Sequence, residues 1–563
     1  MKKLKFTLAM SLASLSYTGF AGDAAAAAST PPAYTSGNTC SGTYPSYWQD
    51  VDPKFAPMWK GQTISNAPTS VYAGPIFKLS DDFPRQPIDD RANQPWRDKK
   101  FDVLFDPSTS QKVKAKLALE YGDLVFEYAL AGNINRTDQA DFDVCKNPVR
   151  PWYHMPFQTY ATDSGREFTH GLTREAPVTF SVKSGTGTAN TTVWAVAIYN
   201  ATAAYTVGAV WQKDGTAKTP TENIHFNEGA VVAKPLFSTA TLDELPILTN
   251  MPSWQANISE PSFCSCPNAS FSKPSSPDGT CTQIDISKAC PRSYSQWGNL
   301  RLMQMDFSVR DSRARGTGWV YGTYVADGLR KAKAKDGWHR LSLLGVMWGN
   351  DTPPQGQLAI SFPPNPRKNG FKEEVIYWDV VDQLNALSGS AKMRQMGHLG
   401  SNYRLNGPAD NANSSCMSCH GTASVPDSNR KTPPLITQFA GGATTFQSVA
   451  PVINMPSAGV DRSGVPAIER QGVTFSQADA IYFANVMAGT SFNTTVKTSS
   501  GDVNMLGTGM PSYSDPSRKD WIALDYSLQL AISLNQWAQW QEHQKSNVPP
   551  HERKMRDEMR RNK

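Results

Sequence analysis

The segment NANSSCMSCHGTASV, residues 411–425, brings Cys416, Cys419 and His420 together in a chain with eight cysteines and eight histidines. Two thiols followed directly by an imidazole are suited to covalent haem attachment, zinc binding or dithiol redox exchange. No second cysteine pair lies in this segment, which argues against a zinc site. No strand–helix–strand pattern surrounds it, which argues against a thioredoxin-like dithiol. The residues therefore favour attachment of one haem c.

The spacing C-x-x-C-H gives each of these residues a separate role. On one turn of helix, two thiols three positions apart are able to add to the two vinyl groups of a porphyrin, which they hold through thioether bonds. The imidazole that follows is placed to bind the iron. Cys416 and Cys419 are therefore the expected covalent anchors, and His420 is the expected proximal iron ligand.

The stretch from roughly Met393 to His543 resembles a class I cytochrome c domain, because Met-Pro pairs and an amphipathic C-terminal helix follow the motif. The resemblance implies that a methionine ahead of this helix supplies the distal iron ligand. Met510 in GTGMPSYSDP has that position, and Met455 in PVINMPSAGV is the weaker candidate. His398 in RQMGHLGSNY would instead give bis-histidine ligation.

The residues upstream must fold around this motif, and their patterns predict a β-rich body. Residues 110–133 read as a helix or helix pair that ends at Gly132, with Val113, Leu117 and Tyr121 one turn apart. Beyond this helix the hydrophobic period is two, as in residues 301–311, where apolar and polar side chains alternate strictly. Further strands are expected in residues 191–200, 203–212, 316–328 and 339–351. These patterns predict an antiparallel sheet or sandwich.

A helical period returns in the C-terminal part, over residues 475–489 and 524–544. The chain is therefore expected to be multidomain, with an all-α, cytochrome c-like C-terminal domain. The predicted bounds are 1–22 for a signal peptide, 30–385 for the β-rich region as one domain or two subdomains, 390–545 for the haem domain, and 546–563 for a charged tail.

The first residues predict export. A lysine-rich start precedes an apolar run from about Phe6 to Phe20 and then small residues, which is the pattern of a secretory signal. The apolar run is shorter than a membrane-spanning helix usually requires. No other stretch of 18 uncharged apolar residues occurs, so no transmembrane span is expected. The expected location is periplasmic or extracellular.

The charge of the chain gives no indication of a nucleic-acid partner. The formal net charge is +6, of which three lysines of the signal account for half. Residues 551–563 carry six basic and three acidic side chains and account for the rest. Because the remaining body is close to neutral, it lacks the basic surface that nucleic-acid binding requires.

Six cysteines lie outside the haem motif, and an even number in an exported protein favours disulfides. Four of them fall in one loop-like stretch, residues 263–290. Zinc is the alternative there, but Cys264 and Cys266 are separated by one residue, whereas zinc sites usually separate such cysteines by two to four. The six positions are Cys40, Cys145, Cys264, Cys266, Cys281 and Cys290.

Three functional classes follow from these patterns, and the third of them is a surface or scaffold protein whose haem is chiefly structural. The first is electron transfer through one haem, with a redox partner protein or a small electron donor or acceptor. The second is a haem-containing oxidoreductase with its substrate site in the β-rich region, where residues 151–176 gather candidate polar side chains. Their other interpretation is structural, as loop and strand-end residues. The candidates are Tyr153, His154, Arg166, Glu167, His170 and Arg174.

Electron transfer is the favoured function, because the sequence identifies one redox group and no convincing second site. The chain contains no dinucleotide fingerprint, no blue-copper ligand set and no second C-x-x-C-H. A second polar group in residues 310–318 is expected to be either a cleft lining or a salt-bridged surface.

Overall fold

The structure is a computed structural model, and all of its described residues belong to one compact unit, Asn38–Lys563. The described residues are 82–134, 142, 144, 147–156, 173–184, 187–212, 216–257, 297–314, 317–349, 371–387, 404–410, 415–420, 423–426, 495–498, 501–504, 521–534 and 537.

A nine-stranded antiparallel sheet forms the centre of the described fold, which confirms the β-rich prediction. Its main path runs β1-β2-β4-β6-β7-β8-β9, with β3 paired to β4 and β5 paired to β6. Between β6 and β7 the register is uninterrupted, with Gln304 opposite Val325 at one end and Arg310 opposite Trp319 at the other. The strands are β1 (Thr173–Ser184), β2 (Gly187–Ala195), β3 (Ile198–Tyr199), β4 (Val231–Ser238), β5 (Ser253–Asn257), β6 (Trp297–Arg310), β7 (Trp319–Ala326), β8 (Leu341–Met347) and β9 (Glu374–Ile376).

Helices are few in the described part of the chain. No described helix is both long enough and apolar enough to cross a membrane. Residues 528–534 are also helical and carry the buried side chains of Leu528, Leu530 and Leu534. The named α-helices are α1 (Asp102–Phe105), α2 (Gln111–Leu130), α3 (Ala201–Val210), α4 (Trp378–Leu387) and α5 (Cys416–His420).

Helix α2 covers one face of the sheet. The ring of Phe126 stacks on that of Tyr324 with centroids 4.3 Å apart, and the Tyr324 hydroxyl donates to Asp123 Oδ1 at 2.7 Å. The helix ends close to the predicted glycine, since Leu130 is its last residue and Gly132 has φ 77°. Val113, however, is 45% exposed, so the predicted stripe does not follow the buried face.

The opposite face of the central strands carries the polar half of the predicted alternation. Gln304, Asp306, Ser308 and Arg310 of β6 lie on this face, together with Lys234, which is opposite Asp306 on β4. C-terminal segments cover it: Gln304 Oε1 accepts from the Ala409 N–H at 2.8 Å. A Cβ on Gly407 would lie 2.1 Å from Gln304 Nε2, so only glycine allows this close approach.

Two parts of the sequence-based interpretation differ from the structure. Residues 203–212, expected as a strand, lie mostly in helix α3, because the Asn200 side chain caps the helix by accepting from the Ala203 N–H. The predicted haem region also contains strands, which are not part of an all-α arrangement. They form the antiparallel pairs β10 (Ser424–Pro426) with β13 (Trp521–Ala523) and β11 (Thr495–Thr498) with β12 (Gly501–Asn504).

Candidate functional site

Helix α5 contains the whole C-x-x-C-H motif and is attached to the edge of the sheet. The Cys416 N–H donates to the Leu405 carbonyl at 3.1 Å, and the Leu405 N–H donates to Glu374 Oε2 of β9 at 3.1 Å. Leu405 and Met417 are completely buried. The motif is therefore held by a short chain of hydrogen bonds that begins at strand β9.

The chain after α5 returns to the motif through the β10–β13 pair. The Ala423 N–H donates to the His420 carbonyl at 3.1 Å, and the Leu524 N–H donates to the Ala423 carbonyl at 3.0 Å. Immediately after Leu524, Asp525 and Tyr526 form a turn that brings the Tyr526 carbonyl to the His420 ring. Two segments of the predicted haem region, 106 positions apart in the chain, thus meet at His420.

The His420 imidazole is held by two contacts. Its Nδ1 lies 2.9 Å from the Tyr526 carbonyl oxygen, and because a carbonyl only accepts, Nδ1 carries the proton and donates. The ring of Tyr321 lies against the imidazole, with centroids 4.8 Å apart. Among the described residues, His420 Nε2 makes no hydrogen bond.

The electrostatic environment keeps this imidazole neutral. Desolvation lowers the pKa of His420 to about 4, since burial penalises the charged form more than the hydrogen bond to Tyr526 favours it. The ammonium of Lys234 acts in the same direction as burial. At pH 7 the ring is neutral, with the proton on Nδ1 and a free lone pair on Nε2. This tautomer is the one that binds a metal ion through Nε2.

Both thiol positions lie in helix α5. Cys416 is half-buried and packs against the core, and Cys419 lies three positions along the same helix. The Cys419 side chain, Met510, Met455 and His398 lie outside the described residues. The six cysteines predicted to form disulfides also lie outside them.

The Tyr526 side chain carries a buried polar group. Its hydroxyl oxygen is buried and has no hydrogen-bond partner among the described residues. Burial, followed by the nearby charge of Asp525, raises the pKa of this phenol above its usual value. The hydroxyl therefore remains protonated and is able to donate to an acceptor group of a bound molecule.

A cluster of polar side chains lies on the same sheet face as Tyr321. The Gln304 Nε2 is 2.8 Å from Asp306 Oδ1 and 2.8 Å from Asp410 Oδ2, so one amide group joins two carboxyl groups. Desolvation, followed by the charge of Asp410, raises the pKa of Asp306 well above its usual range, and Lys234 opposes this rise. Lys234 therefore acts electrostatically on both Asp306 and His420.

The other candidate groups from the sequence have structural contacts where they are described. Tyr153 and His154 are buried, and the Tyr153 backbone pairs with that of Tyr199 at 2.9 and 3.0 Å. The side chains of Arg166, Glu167, His170 and Arg174 lie outside the described residues.

Residues 310–318 form ion pairs rather than a polar cleft lining. Arg313 Nη2 lies 2.8 Å from Asp311 Oδ2, and its Nη1 lies 3.2 Å from Asp102 Oδ1. The salt-bridge alternative for this stretch is the one that agrees with these contacts.

The sequence does not identify three residues of the site: Tyr321, Asp525 and Tyr526. A backbone carbonyl has no residue-type signature, and the pattern around Tyr321 predicts only a strand. Within the described part of the chain, no group of three or more His, Cys, Asp or Glu side chains is arranged to hold a metal ion. No protein-family model, no curated protein and no solved structure matches this chain.

Proposed function

We propose that this protein is an exported monohaem c-type cytochrome that transfers electrons between a redox partner protein, or a small donor, and an acceptor. Cys416 and Cys419 would hold the porphyrin through thioether bonds, and His420 would bind the iron. Met510 is the proposed distal ligand, with Met455 as the second candidate. The proposed location is the periplasm or the extracellular space.

The observation that carries the proposal is the state of the His420 ring. Its Nδ1 donates to the Tyr526 carbonyl at 2.9 Å, its pKa is lowered to about 4 by desolvation, and its Nε2 makes no hydrogen bond among the described residues. A histidine that ligates a metal through Nε2 needs this tautomer and this charge state. The unpartnered Tyr526 hydroxyl adds a buried donor beside the same turn, which fits an anionic substituent of the porphyrin edge.

The haem, when bound, supplies a one-electron ferric/ferrous couple. The residues of the chain have three tasks around it. Tyr526 and Tyr321 fix the direction of the His420 ring. The sheet face of β6 and β7 excludes water from one side of the motif, since Tyr321 is 4% exposed and Trp319 is 2% exposed. Helix α5 would hold Cys416 and Cys419 three positions apart, which is the spacing that attachment to two vinyl groups uses.

Substitution of both thiols tests the proposal directly. In Cys416→Ala/Cys419→Ala the protein should contain no haem that survives acid–acetone extraction, because no thioether bond is able to form. The control is Ser414→Ala/Ser418→Ala, which changes two positions of the same segment and keeps both thiols. The control should retain covalent haem. Covalent haem in the thiol-free variant, or its absence from the parent protein, contradicts the proposal.

The spectrum of the purified protein separates electron transfer from the alternative oxidoreductase. Sharp low-spin bands that carbon monoxide leaves unchanged are expected, because an electron carrier keeps both axial ligands. A high-spin form that binds carbon monoxide would instead indicate an open iron site and favour catalysis.

A further inference from the structure

The turn formed by Asp525 and Tyr526 has an unusual backbone. Both residues have positive φ, 46° for Asp525 and 65° for Tyr526, although neither is glycine. Asp adopts this left-handed region more readily than most residues, but a bulky tyrosine does not. Residues held in such regions cost on the order of 1–3 kcal/mol each and persist only where their surroundings fix them. Other contacts must therefore hold this turn.

The Asp525 carboxylate supplies those contacts. One oxygen accepts from the Phe226 N–H at 2.7 Å, and the other accepts from the Trp319 Nε1–H at 3.0 Å. Arg310 Nε lies 3.6 Å from the carboxylate, whose side chain is only 8% exposed. Both donor groups belong to parts of the chain more than 200 residues away, so the sheet body fixes the turn.

The fixed turn presents its carbonyl to the imidazole. The next residue after Asp525 is Tyr526, whose carbonyl oxygen accepts from His420 Nδ1. Rotation of the Asp525–Tyr526 turn toward an ordinary backbone conformation would move this oxygen away from the ring. The direction of the His420 hydrogen bond therefore depends on a carboxylate that does not touch the imidazole.

We propose that Asp525 is a positioning residue for the proximal imidazole: it holds the strained Tyr526 carbonyl on Nδ1 of His420 and so sets the orientation and donor strength of Nε2. The inference rests on the proposed function in one respect, which is that Nε2 binds iron. A hydrogen bond at one ring nitrogen fixes the tautomer and raises the basicity of the other, and loss of such partners typically costs 10–100-fold in metal affinity.

The variant Asp525→Asn tests this role. Asparagine keeps the size of the side chain and tolerates positive φ. It has only one acceptor oxygen, however, whereas the Phe226 N–H and the Trp319 Nε1–H each donate to a separate oxygen of Asp525. The substitution also replaces the negative charge that faces Arg310 with a neutral amide. A weaker carbonyl contact makes Nε2 a poorer donor to ferric iron, so the reduction potential should rise. A tenfold change in the relative stabilisation of ferric and ferrous iron corresponds to about 59 mV.

The matched control is Asp311→Asn. Asp311 is also a buried aspartate paired with an arginine, and it accepts from the Tyr121 hydroxyl at 3.0 Å, on the α2 side of the sheet. This control should lower the stability of the fold and leave the potential and the hyperfine-shifted proton resonances of His420 unchanged. Equal shifts in both variants, or no shift in Asp525→Asn, would overturn the proposal.

Two further arms keep the test decisive. If Asp525→Asn does not fold, Trp319→Phe removes one of the two donors and should raise the reduction potential by a smaller amount, whereas no change would overturn the proposal.

If the parent holds no covalent haem, the proposed function fails, and ¹⁵N NMR of the histidine-labelled full chain decides the positioning role. The Nδ1–H tautomer of His420 should then dominate in the parent and mix with the other tautomer in Asp525→Asn. The same tautomer population in Asp525→Asn as in the parent would overturn the positioning role of Asp525.

Discussion

If His420 binds a haem iron as proposed, a second residue is expected to complete the ligand set, and the candidates are Met510 and Met455, each followed by proline. If Met510 is the distal ligand, Met510→Ala should remove the weak ferric sulfur-to-iron absorption band and open the iron to added ligands. Thioether sulfur favours ferrous iron, so the same variant should also lower the reduction potential. Met455→Ala is the matched control and should leave both properties nearly unchanged. The opposite result would assign the ligand to Met455, and a parent without the band would favour His398 or an open site.

At the residue scale, the motif was predictable and its partners were not. Cys416, Cys419 and His420 were identified because their types and spacing are rare together. The Tyr526 carbonyl, which accepts from His420 Nδ1, was not, because any residue has a carbonyl and only the fold determines where it points. Asp525 was assigned to the start of a helix by its pattern, whereas its carboxylate contacts Phe226 and Trp319.

At the scale of elements, the sequence predicts the alternation of strand β6 correctly, but it does not predict that another segment covers the polar face of the strand. Met305 and Phe307 lie on the α2 side of the sheet, as the apolar half should. Gln304, expected on the polar half, is completely buried because residues 404–410 cover it. Period two shows which residues share a face, but it does not show whether solvent or another segment meets that face.

Asp306 gives this covered face a pH dependence. Desolvation and Asp410 raise the pKa of Asp306 in the folded state, whereas an unfolded aspartate titrates near its usual value of about 3.9. The folded state therefore binds more protons between these two values. The contribution of Asp306 to stability is fully present below the unfolded pKa and is lost as the pH rises through the folded pKa. The other charged group facing Asp306 is Lys234, which opposes the rise.

Asp306→Asn should remove this loss. At neutral pH the variant should be more stable than the parent by about 1 kcal/mol, because the uncharged amide does not carry the desolvation cost of a carboxylate, while its oxygen still accepts from Gln304. Urea unfolding at pH 5 and pH 8 measures the difference. Asp102→Asn, at an exposed partner of Arg313, is the control and should change stability little at either pH. A variant less stable than the parent at pH 8 would contradict the prediction.

At the scale of the whole molecule, residues of the β-rich region contact residues on the other side of the predicted boundary near residue 385. Trp319 Nε1 donates to Asp525, and the rings of Trp211 and Trp537 meet edge-to-face with centroids 6.1 Å apart. From about Asn385 the composition shifts to Gly, Ser, Asn and Met, and this shift is what predicts a boundary there. Composition does not report which segments pack together. A separate domain from 390 to 545 stays a prediction.

Truncation measures how far the two regions depend on each other. A chain that ends at Leu387 should lose the native-like protection of β6 and β7 in hydrogen exchange, because Trp319, Tyr321 and Gln304 lose the segments that cover them. Removal of residues 546–563 alone is the control and should leave that protection unchanged. Full protection of β6 and β7 in the shorter chain would instead show that residues 30–385 fold independently.

The long return of the chain to His420 also sets an order of events during biosynthesis. The imidazole and its carbonyl partner are 106 positions apart. Because a chain is synthesised from its amino end, the C-x-x-C-H segment leaves the ribosome before Asp525 and Tyr526. The Nδ1 hydrogen bond of His420 therefore forms only after synthesis has passed Tyr526, so the motif exists before the partner that orients its imidazole.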